Sequence, residues 1–343
     1  MKRLPCLLLL MLLVSCHPGE TDDDGSKNPV PAFSRGADIS WITEMEAKGY
    51  RFFDADGNAT ECTALMKQLG FDAVRYRVWV NPADGYNSVD DVFQKALRAQ
   101  ALGLHILIDF HYSDTWADPG KQGIPAAWKD LSLTDMTAAV ADHTRRTLQT
   151  LRDAGVDVSW VQVGNEVNTG MLWPMGKVTD RQVLPFVQLF NAGADAVREV
   201  YPDAKVILHR SNGYDYNGFC WFLDLVQRYG IRYDIIGASL YPSYWEDGRY
   251  PDWRPKTEAF VQNIPLLRDR YHKPVMLVEV GMPAAQPTVA REMLSWLIAQ
   301  TEPIDGFLGI FYWEPESEQS RNGYAYGAFA AGRPTAALEA FQK

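Results

Sequence analysis

Cysteine is scarce in this chain, which excludes a fold held together by disulfides. The 343 residues contain four Cys, and only Cys62 and Cys220 lie beyond the N-terminal segment described below. Small domains that depend on disulfides for their stability contain several closely spaced Cys, which this chain lacks. We therefore predict two buried thiols, carried by the first and fifth units of the fold and too far apart to be bridged.

The chain also lacks an excess of positive charge. It has 43 acidic and 33 basic residues and a net charge of −10, which disfavours non-specific attraction to nucleic acid or to anionic membranes. Its 11 Trp and 16 Tyr suit a neutral ligand, because sugar rings present apolar C–H faces that stack on aromatic side chains. We predict no nucleic-acid partner.

The hydrophobic run at the N-terminus is too short to span a bilayer. It covers residues 4–14, follows Lys2 and Arg3, and leads to Cys16 in the sequence LVSC. A basic start followed by a short apolar stretch indicates an export signal. Its end resembles a bacterial lipobox, in which cleavage before the Cys leaves that residue to carry lipid. The alternative is an ordinary secretory peptide with an incidental Cys.

The first 31 residues therefore divide into two parts. Residues 1–15 are predicted to be a lipoprotein signal peptide, and residues 16–31, rich in Asp, Gly and Pro, a flexible tether. The acidic run 22–24 resembles the surface-export signal of Bacteroides-type lipoproteins. We expect an exported bacterial lipoprotein, anchored by lipid at Cys16 in the outer membrane and facing the cell surface, with residues 32–343 as its folded domain.

Strand-like and helix-like segments alternate throughout residues 32–343. Glycines at the ends of several helical segments accept the left-handed conformation that closes a helix. Eight parallel strands with crossover helices predict a single (β/α)8 TIM barrel of the α/β class. The strand-like runs are 33–41, 73–80, 105–112, 160–166, 205–211, 235–242, 274–281 and 308–315, and the helix-like segments are 60–69, 89–102, 136–154, 181–201, 219–229, 257–271, 288–300 and 335–342.

A doubly wound open sheet is the alternative for the same alternation. Residues 42–57, which follow the first strand, lack the GxGxxG pattern of a dinucleotide-binding loop. The count of eight favours a closed barrel. No cofactor is predicted.

Two of the predicted strands carry a glutamate where a barrel strand should be apolar. The fourth ends in Asn165 and Glu166, and Glu279 lies inside the apolar seventh strand. The C-terminal strand ends of such barrels form the active site, and burying a carboxylate is costly unless it is paired or functional. Two carboxylates on one face meet the needs of glycoside hydrolysis, with no metal. The alternative is a structural role, each carboxylate being satisfied by an Arg or a backbone amide.

Two close carboxylates raise each other's tendency to hold a proton. We expect the free protein to keep one proton between the pair, on Glu166. Once Glu279 is consumed in a covalent bond its charge vanishes, so the pKa of Glu166 should fall and let it act as a base towards water. The same two residues would thus exchange roles between the two halves of the reaction.

Polar or aromatic residues also end other predicted strands. An Arg beneath a carboxylate keeps it ionised and a Tyr hydroxyl orients it, but alternation puts both arginines of the second strand on one face and leaves the choice open. We expect a Trp side chain to form the base of a sugar subsite, with the sugar ring stacked on it. Each His is either a hydrogen-bonded structural imidazole or a substrate contact, and the scattered His and Asp predict no metal site. These residues are Arg75, Arg77, His111, His209, Tyr241 and Trp313.

Taken together, these residues and their flanking stretches resemble the endo-β-1,4-galactanases of glycoside hydrolase family 53, in the clan of barrel glycosidases with catalytic Glu on strands four and seven. The resemblance runs from about Gly36 to Pro315, and residues 109–119 are its most specific part. It implies retaining hydrolysis of β-1,4-galactan, the side chain of pectic arabinogalactan. The matching stretches are GADIS (36–40), VRYRVWVNP (74–82), DFHYSDTWADP (109–119), VGNE (163–166), LWP (172–174), YP (241–242), VE (278–279) and YWEP (312–315).

The resemblance also implies roles for individual residues. Glu166 is the acid/base, Glu279 the nucleophile, Asn165 the residue that bonds the sugar 2-hydroxyl, and Arg75 the arginine that the clan shares. Further substrate-binding positions of the family are Asp38, His111, Asp114, Trp116, Tyr241 and Trp313, and the candidates for additional subsites are Trp79, Trp173, Trp245 and Trp253.

Two features of family relatives are missing from this sequence. Some bacterial relatives carry a long calcium-binding loop after strand seven, but residues 281–286 contain no acidic ligand, so calcium is not predicted. Fungal relatives carry a disulfide in that region, and this chain has no Cys there. The alternatives are another glycosidase of the clan, such as a β-1,4-glucanase or mannanase, and a surface lipoprotein that binds glycan without cutting it. We expect a monomer.

Overall fold

The computed structural model describes residues 29–342, so the predicted signal peptide and Cys16 lie outside the described residues. Eight parallel strands form a closed barrel in chain order, with β8 paired to β1. The predicted (β/α)8 barrel is confirmed. The strands are β1 Ser34–Asp38, β2 Ala73–Val78, β3 His105–Phe110, β4 Trp160–Val163, β5 Lys205–Arg210, β6 Ile235–Leu240, β7 Val275–Val280 and β8 Phe307–Trp313, followed by a short antiparallel pair, β9 Phe329–Ala330 and β10 Arg333–Pro334.

Helices follow the strands, and several begin at a side chain that caps them. Ser88 Oγ accepts a hydrogen bond from the N–H of Asp91, and Ser132 Oγ accepts one from Asp135. Among residues 29–342, no helix combines the length and the apolar character needed to cross a bilayer. The helices are α1 Ile42–Ala47, α2 Cys62–Gln68, α3 Val89–Ala101, α4 Leu133–Asp153, α5 Leu184–Val200, α6 Tyr216–Gln227, α7 Arg254–Tyr271, α8 Pro287–Thr301 and α9 Gln319–Asn322.

The last predicted helix is wrong in type. Residues 335–342 contain a 3₁₀ segment, Ala336–Phe341, instead of an α-helix. Three residues per turn place Leu338 and Phe341 on one face, and both are fully buried. Phe341 stacks on Phe71 with 4.5 Å between the ring centroids. The 3₁₀ period is thus compatible with the burial of both side chains.

Cys62 and Cys220 are free thiols on separate helices, α2 and α6. Cys62 is buried, as predicted. Cys220 is only partly buried, so that part of the prediction is wrong. Phe219 and Phe222 occupy the inward face of α6, which leaves the neighbouring Cys at its margin.

The interior of the barrel changes from apolar to polar toward the C-terminal ends of the strands. Alternate side chains of a strand face inward. Toward the N-terminal ends of the strands, the interior is an apolar cluster that includes Leu107 and Ile207. Two residues farther along the same strands come Asp109 and His209, both fully buried. The apolar cluster thus forms a floor beneath the polar residues and separates them from solvent on that side.

A β-bulge in β7 turns Glu279 into the barrel. Ala238 and Ser239 of β6 pair with Leu277 and Glu279, so Val278 is the extra residue. In an unbulged strand of the same sequence, alternation would place Glu279 on the outer face with Leu277. Here Val278 belongs to the apolar floor, and Glu279 also faces inward and reaches the cleft described below. The bulge therefore re-aims a side chain next to the site.

Candidate active site

A cleft of about 700 Å³ opens at the C-terminal ends of the barrel strands and contains both Glu166 and Glu279. A cavity of similar size near His105 and Tyr201 lies at the opposite ends of the strands, where barrel enzymes do not place their chemistry. We therefore take the first cleft as the candidate site. Its other lining residues include His111, Trp116, Asn165, Tyr214, Tyr241, Tyr244, Lys256, Trp313, Tyr324 and Tyr326.

The turn after β4 presents Glu166 to the cleft. Its backbone adopts φ +45°, shortly after Gly164 at φ +81°; such a left-handed conformation is uncommon outside glycine. Strain of this kind clusters at functional sites. Oε1 of the half-buried carboxyl group accepts a hydrogen bond of 2.7 Å from Ser239 Oγ on β6. Two strands therefore fix this carboxyl group.

Ser239 is itself oriented by His209. His209 Nε2 lies 2.8 Å from Ser239 Oγ, while Nδ1 faces the side-chain amide of Gln162 at 2.8 Å and the backbone N–H of Glu166 at 3.2 Å. Because a backbone N–H only donates, Nδ1 is the acceptor and the proton is assigned to Nε2. Burial and the charge of Arg75 hold the pKa of His209 well below its ordinary value. A neutral imidazole thus donates to the serine, which donates to the glutamate.

Glu279 has a different set of partners. Arg75 Nη2 lies 2.9 Å from Oε1, and the Tyr241 hydroxyl donates to Oε2 at 3.1 Å. The glutamate is only 5% exposed. A cation on one oxygen and a hydroxyl donor on the other favour the ionised carboxylate.

Arg75 connects this carboxylate to two more. Its Nη1 lies 2.6 Å from Asp38 Oδ2, and its Nη2 lies 2.9 Å from Asp109 Oδ2. Burial lowers the pKa of Arg75, but the three carboxylates outweigh burial and raise it. Burial likewise raises the pKa of Asp109, yet Arg75 and His111 hold it below its ordinary value. One arginine thus faces three acids, which leaves Glu279 incompletely neutralised.

Burial raises the pKa of Glu166 and of Glu279 above the ordinary glutamate value. Arg75 lowers the pKa of both, while the negative charge of Glu166 raises that of Glu279. Two carboxyl groups that interact in this way titrate as a pair. The pair retains a proton at a pH where isolated glutamates have lost theirs.

Residues 34–296 match the family model described as glycosyl hydrolase family 53. The chain belongs to glycosyl hydrolase family 53. It is 32% identical over 336 residues to a probable arabinogalactan endo-β-1,4-galactanase A of Neosartorya fischeri, covering 90% of this chain and 89% of that protein. It is 30% identical over 317 residues to an endo-β-1,4-galactanase of Bacillus subtilis, covering 82% and 70%. A solved structure from a study of two fungal β-1,4-galactanases matches with a TM-score of 0.82 at 27% identity, covering 91% of this chain and 99% of that chain.

The two arginines of β2 serve different carboxylates in this family 53 glycoside hydrolase. Arg77 pairs with the buried Glu314, whereas Arg75 contacts Glu279, so the structure decides the choice that the sequence left open. The guanidinium carbon of Arg77 lies 4.3 Å from the ring centroid of Trp116, within the range of a cation–π contact. Trp116 and Trp313 form an aromatic wall of the cleft. Arg77 lies beneath this wall and contacts Trp116.

Most of the predicted site residues of the family 53 enzyme line the cleft, but three do not. Asp38 and Arg75 are fully buried beneath it. Arg75 contacts Glu279 and Asp38 contacts Arg75, so neither faces a ligand. Asp114 is not brought into the cleft lining: its two oxygens accept backbone N–H groups from two loops, at 3.0 and 2.8 Å. The predicted residues that line the cleft beside the two glutamates are His111, Trp116, Asn165, Tyr241 and Trp313.

The four tryptophans considered as additional subsites lie outside the cleft lining. Trp79 and Trp253 are buried, the latter against Trp296 with 5.8 Å between ring centroids. Trp173 is partly buried, and Trp245 is 53% exposed on the loop after β6. Trp79 packs against Trp116, with 5.2 Å between ring centroids, and Trp253 packs against α8, so burial removes both from contact with a ligand.

Sequence reasoning missed several residues of this site. Ser239 lies two positions before Tyr241, so the strand period could have placed both on the inner face. Tyr324 and Tyr326 belong to the loop after β8, where no periodic pattern gives a signal. Within residues 29–342, no group of three His, Cys, Asp or Glu side chains is arranged to hold a metal ion.

Proposed function

We propose that this family 53 enzyme hydrolyses β-1,4-galactosidic bonds within galactan, the type I arabinogalactan of pectin, and retains the anomeric configuration. The relatives named as β-1,4-galactanases support the substrate. The observation that carries the mechanism is the difference between two carboxyl groups in one cleft. Glu279 contacts a guanidinium cation, whereas Glu166 accepts from a neutral hydroxyl.

This difference determines where the shared proton resides. Arg75 and Tyr241 stabilise negative charge on both oxygens of Glu279, whereas Ser239 offers one neutral hydrogen bond to Glu166. Burial favours the neutral form of either group. Glu166 therefore holds the proton, and Glu279 is the carboxylate.

The reaction proceeds in two displacements. In the first, Glu279 attacks the anomeric carbon while Glu166 gives its proton to the glycosidic oxygen, so that the leaving chain departs as an alcohol and a glycosyl-enzyme ester forms. In the second, Glu166, now a carboxylate, takes a proton from water, and the resulting hydroxide displaces Glu279 from the sugar. The enzyme returns to its starting protonation state.

We also propose that the enzyme is an exported lipoprotein with lipid on Cys16. The basic start, the apolar run 4–14 and the LVSC sequence support this location, and the acidic run 22–24 supports a position on the cell surface. The substrate is a polymer that does not cross a membrane. Anchoring the enzyme outside the cell would bring the two together.

A panel of polysaccharides tests the substrate directly. The purified protein is incubated in parallel with β-1,4-galactan, β-1,4-glucan, β-1,4-mannan and arabinan, and the released reducing ends are identified. We expect a rapid fall in the viscosity of galactan with galacto-oligosaccharide products. Cleavage of glucan or mannan alone would favour another glycosidase of the same clan, and binding to galactan without cleavage would favour a glycan-binding protein.

A further inference from the structure

The cleft has a second aromatic region, which Tyr326 and Tyr324 connect to the one around Trp313 and Trp116. It is formed by Tyr214 after β5 and Tyr244 after β6. In an eight-stranded barrel, β5 and β6 lie opposite β1 and β2. The aromatic rings therefore form a row along the cleft, from Trp313 through Tyr324 and Tyr326 to Tyr244. This row extends beyond Trp313 to the side of the cleft formed by the loops after β5 and β6.

The ring of Tyr244 is held flat by its neighbour. It stacks on Tyr326 with 5.2 Å between centroids and an interplanar angle of 7°. The hydroxyl of Tyr326 accepts the backbone N–H of Trp245 at 2.8 Å, which fixes the loop that carries Tyr244. Tyr326 is buried, whereas Tyr244 is 58% exposed. A large aromatic ring is thus supported on one side and left open on the other.

The surroundings of Tyr244 suit a neutral sugar. Lys256 Nζ lies 5.4 Å from the ring centroid of Tyr214, and Glu246 also lines this part of the cleft. One cation and one anion offer a donor and an acceptor to hydroxyl groups without a net charge. The exposed aromatic face meets the apolar C–H face of a pyranose.

The acid assigns this region to the leaving half of the substrate. Glu166 is hydrogen-bonded to Ser239 of β6, the strand that leads into the loop of Tyr244. The glycosidic oxygen that receives the proton is the first atom of the leaving chain. The leaving chain therefore extends from Glu166 toward the loops after β5 and β6.

We propose that Tyr244, supported by Tyr326, is the stacking platform for the leaving half of a neutral β-linked galactan chain, with Tyr214 and Lys256 as its facing wall. The inference rests on the proposed function, since it takes Glu166 as the acid. The platform binds the part of the substrate that lies beyond the cleaved bond. Loss of the ring should therefore affect substrates that carry sugar in that part more than substrates that carry a simple leaving group.

The test compares galactohexaose with nitrophenyl β-galactobioside, whose leaving group contains no sugar. Tyr244→Ala should lower the ratio of kcat/KM for galactohexaose to kcat/KM for the nitrophenyl substrate by about two- to tenfold, the range of one aromatic stacking contact. Tyr244→Phe keeps the ring and should keep the ratio. Tyr229→Ala is the matched control, because Tyr229 is 47% exposed but lies outside the cleft lining.

If the ratio of kcat/KM for galactohexaose to kcat/KM for the nitrophenyl substrate is unchanged or higher in Tyr244→Ala, the proposed role of Tyr244 is wrong. Failure of the proposed function looks different, because it appears in the wild-type protein. A wild type that leaves galactohexaose uncut and cleaves another β-1,4-linked hexasaccharide would reject the proposed substrate. The same ratio, measured with that hexasaccharide, would then decide the role of Tyr244.

Discussion

The hydroxyl of Ser239 lies 2.7 Å from Oε1 of Glu166 and donates to it. This hydrogen bond lowers the pKa of Glu166, against burial, which raises it. His209 Nε2, 2.8 Å from the same hydroxyl, leaves the serine proton directed at the glutamate. The serine thus both positions the proposed acid and sets the pH at which it loses its proton.

Removing this hydroxyl should change the pH profile. In Ser239→Ala we expect the alkaline limb of kcat/KM to move to higher pH, because the carboxylate loses a donor, and kcat to fall, because the carboxyl group is less well oriented. Ser239→Thr should restore the profile. Ser34→Ala is the control, a buried serine at the opposite end of the barrel. Equal profiles for wild type and Ser239→Ala would contradict this role.

Glu279→Gln should abolish turnover and leave galactan binding nearly intact. The amide keeps the shape of the side chain but removes the charge that attacks the sugar, so kcat should fall by more than about a thousandfold. Activity is followed as released reducing ends, and affinity by titration with galacto-oligosaccharides. Residual activity above a few per cent of wild type would assign the nucleophile to another residue.

Glu166→Ala should separate substrates by their leaving groups. Natural galactan needs protonation of the departing oxygen and should be cleaved about 10²- to 10⁴-fold more slowly. Nitrophenyl galactobioside needs little protonation and should still form the glycosyl-enzyme. Equal losses on both substrates would count against the acid role.

The variant Glu166→Ala should also change the dependence of kcat/KM on pH. Burial raises the pKa of Glu166 above the ordinary glutamate value, so the fall of wild-type kcat/KM, as the acid loses its proton with rising pH, should come at a higher pH than an exposed glutamate would give. In Glu166→Ala this limb should be absent from the profile measured with galactan, the substrate whose leaving group needs the proton. A limb that persists unchanged would belong to another group.

The anomeric configuration of the first product tests the roles of both glutamates together. Retention requires that the carboxylate attack the anomeric carbon directly, which needs the carboxyl groups about 5 to 5.5 Å apart. A proton NMR time course of galacto-oligosaccharide cleavage, read before mutarotation, should show the β-anomer first. Initial appearance of the α-anomer would reject the nucleophile and the retaining mechanism, although the fold and substrate would stand.

Cys16→Ala should release or misroute the protein without harming the folded domain. Without the thiol there is no site for the lipid, while residues 29–342 are untouched. Membrane fractionation and galactanase activity report the two effects separately. A variant that still fractionates with the membrane would remove the lipoprotein proposal.

The barrel and its two glutamates could be predicted from the sequence because both depend on local patterns. Apolar strands alternate with amphipathic helices, and Glu166 and Glu279 interrupt strands that are otherwise apolar. The aromatic wall near Trp313 follows from its place at the end of β8. These features need only the apolar character of each strand and the rule that barrel sites lie at the C-terminal strand ends.

The remaining features depend on contacts between distant segments. Strict alternation in β7 would send Glu279 outward, and the bulge that turns it inward appears only once β6 is paired beside it. Sequence also leaves open whether His209 touches substrate, and its contact with Ser239 settles its orientation. Tyr326 lies 82 positions after Tyr244 in the numbering but stacks directly on it. Such pairs have no short-range signal.

The bulge in β7 lets one strand serve two functions that a regular strand would place in competition. Val278 fills the apolar floor, and Glu279 faces the cleft, although they are neighbours in the chain. A substitution at Val278 would therefore change the packing of the floor, while Glu279 stays paired with Ser239 of β6. In evolutionary terms, residues that set the stability of this strand can vary separately from the residue that carries the chemistry.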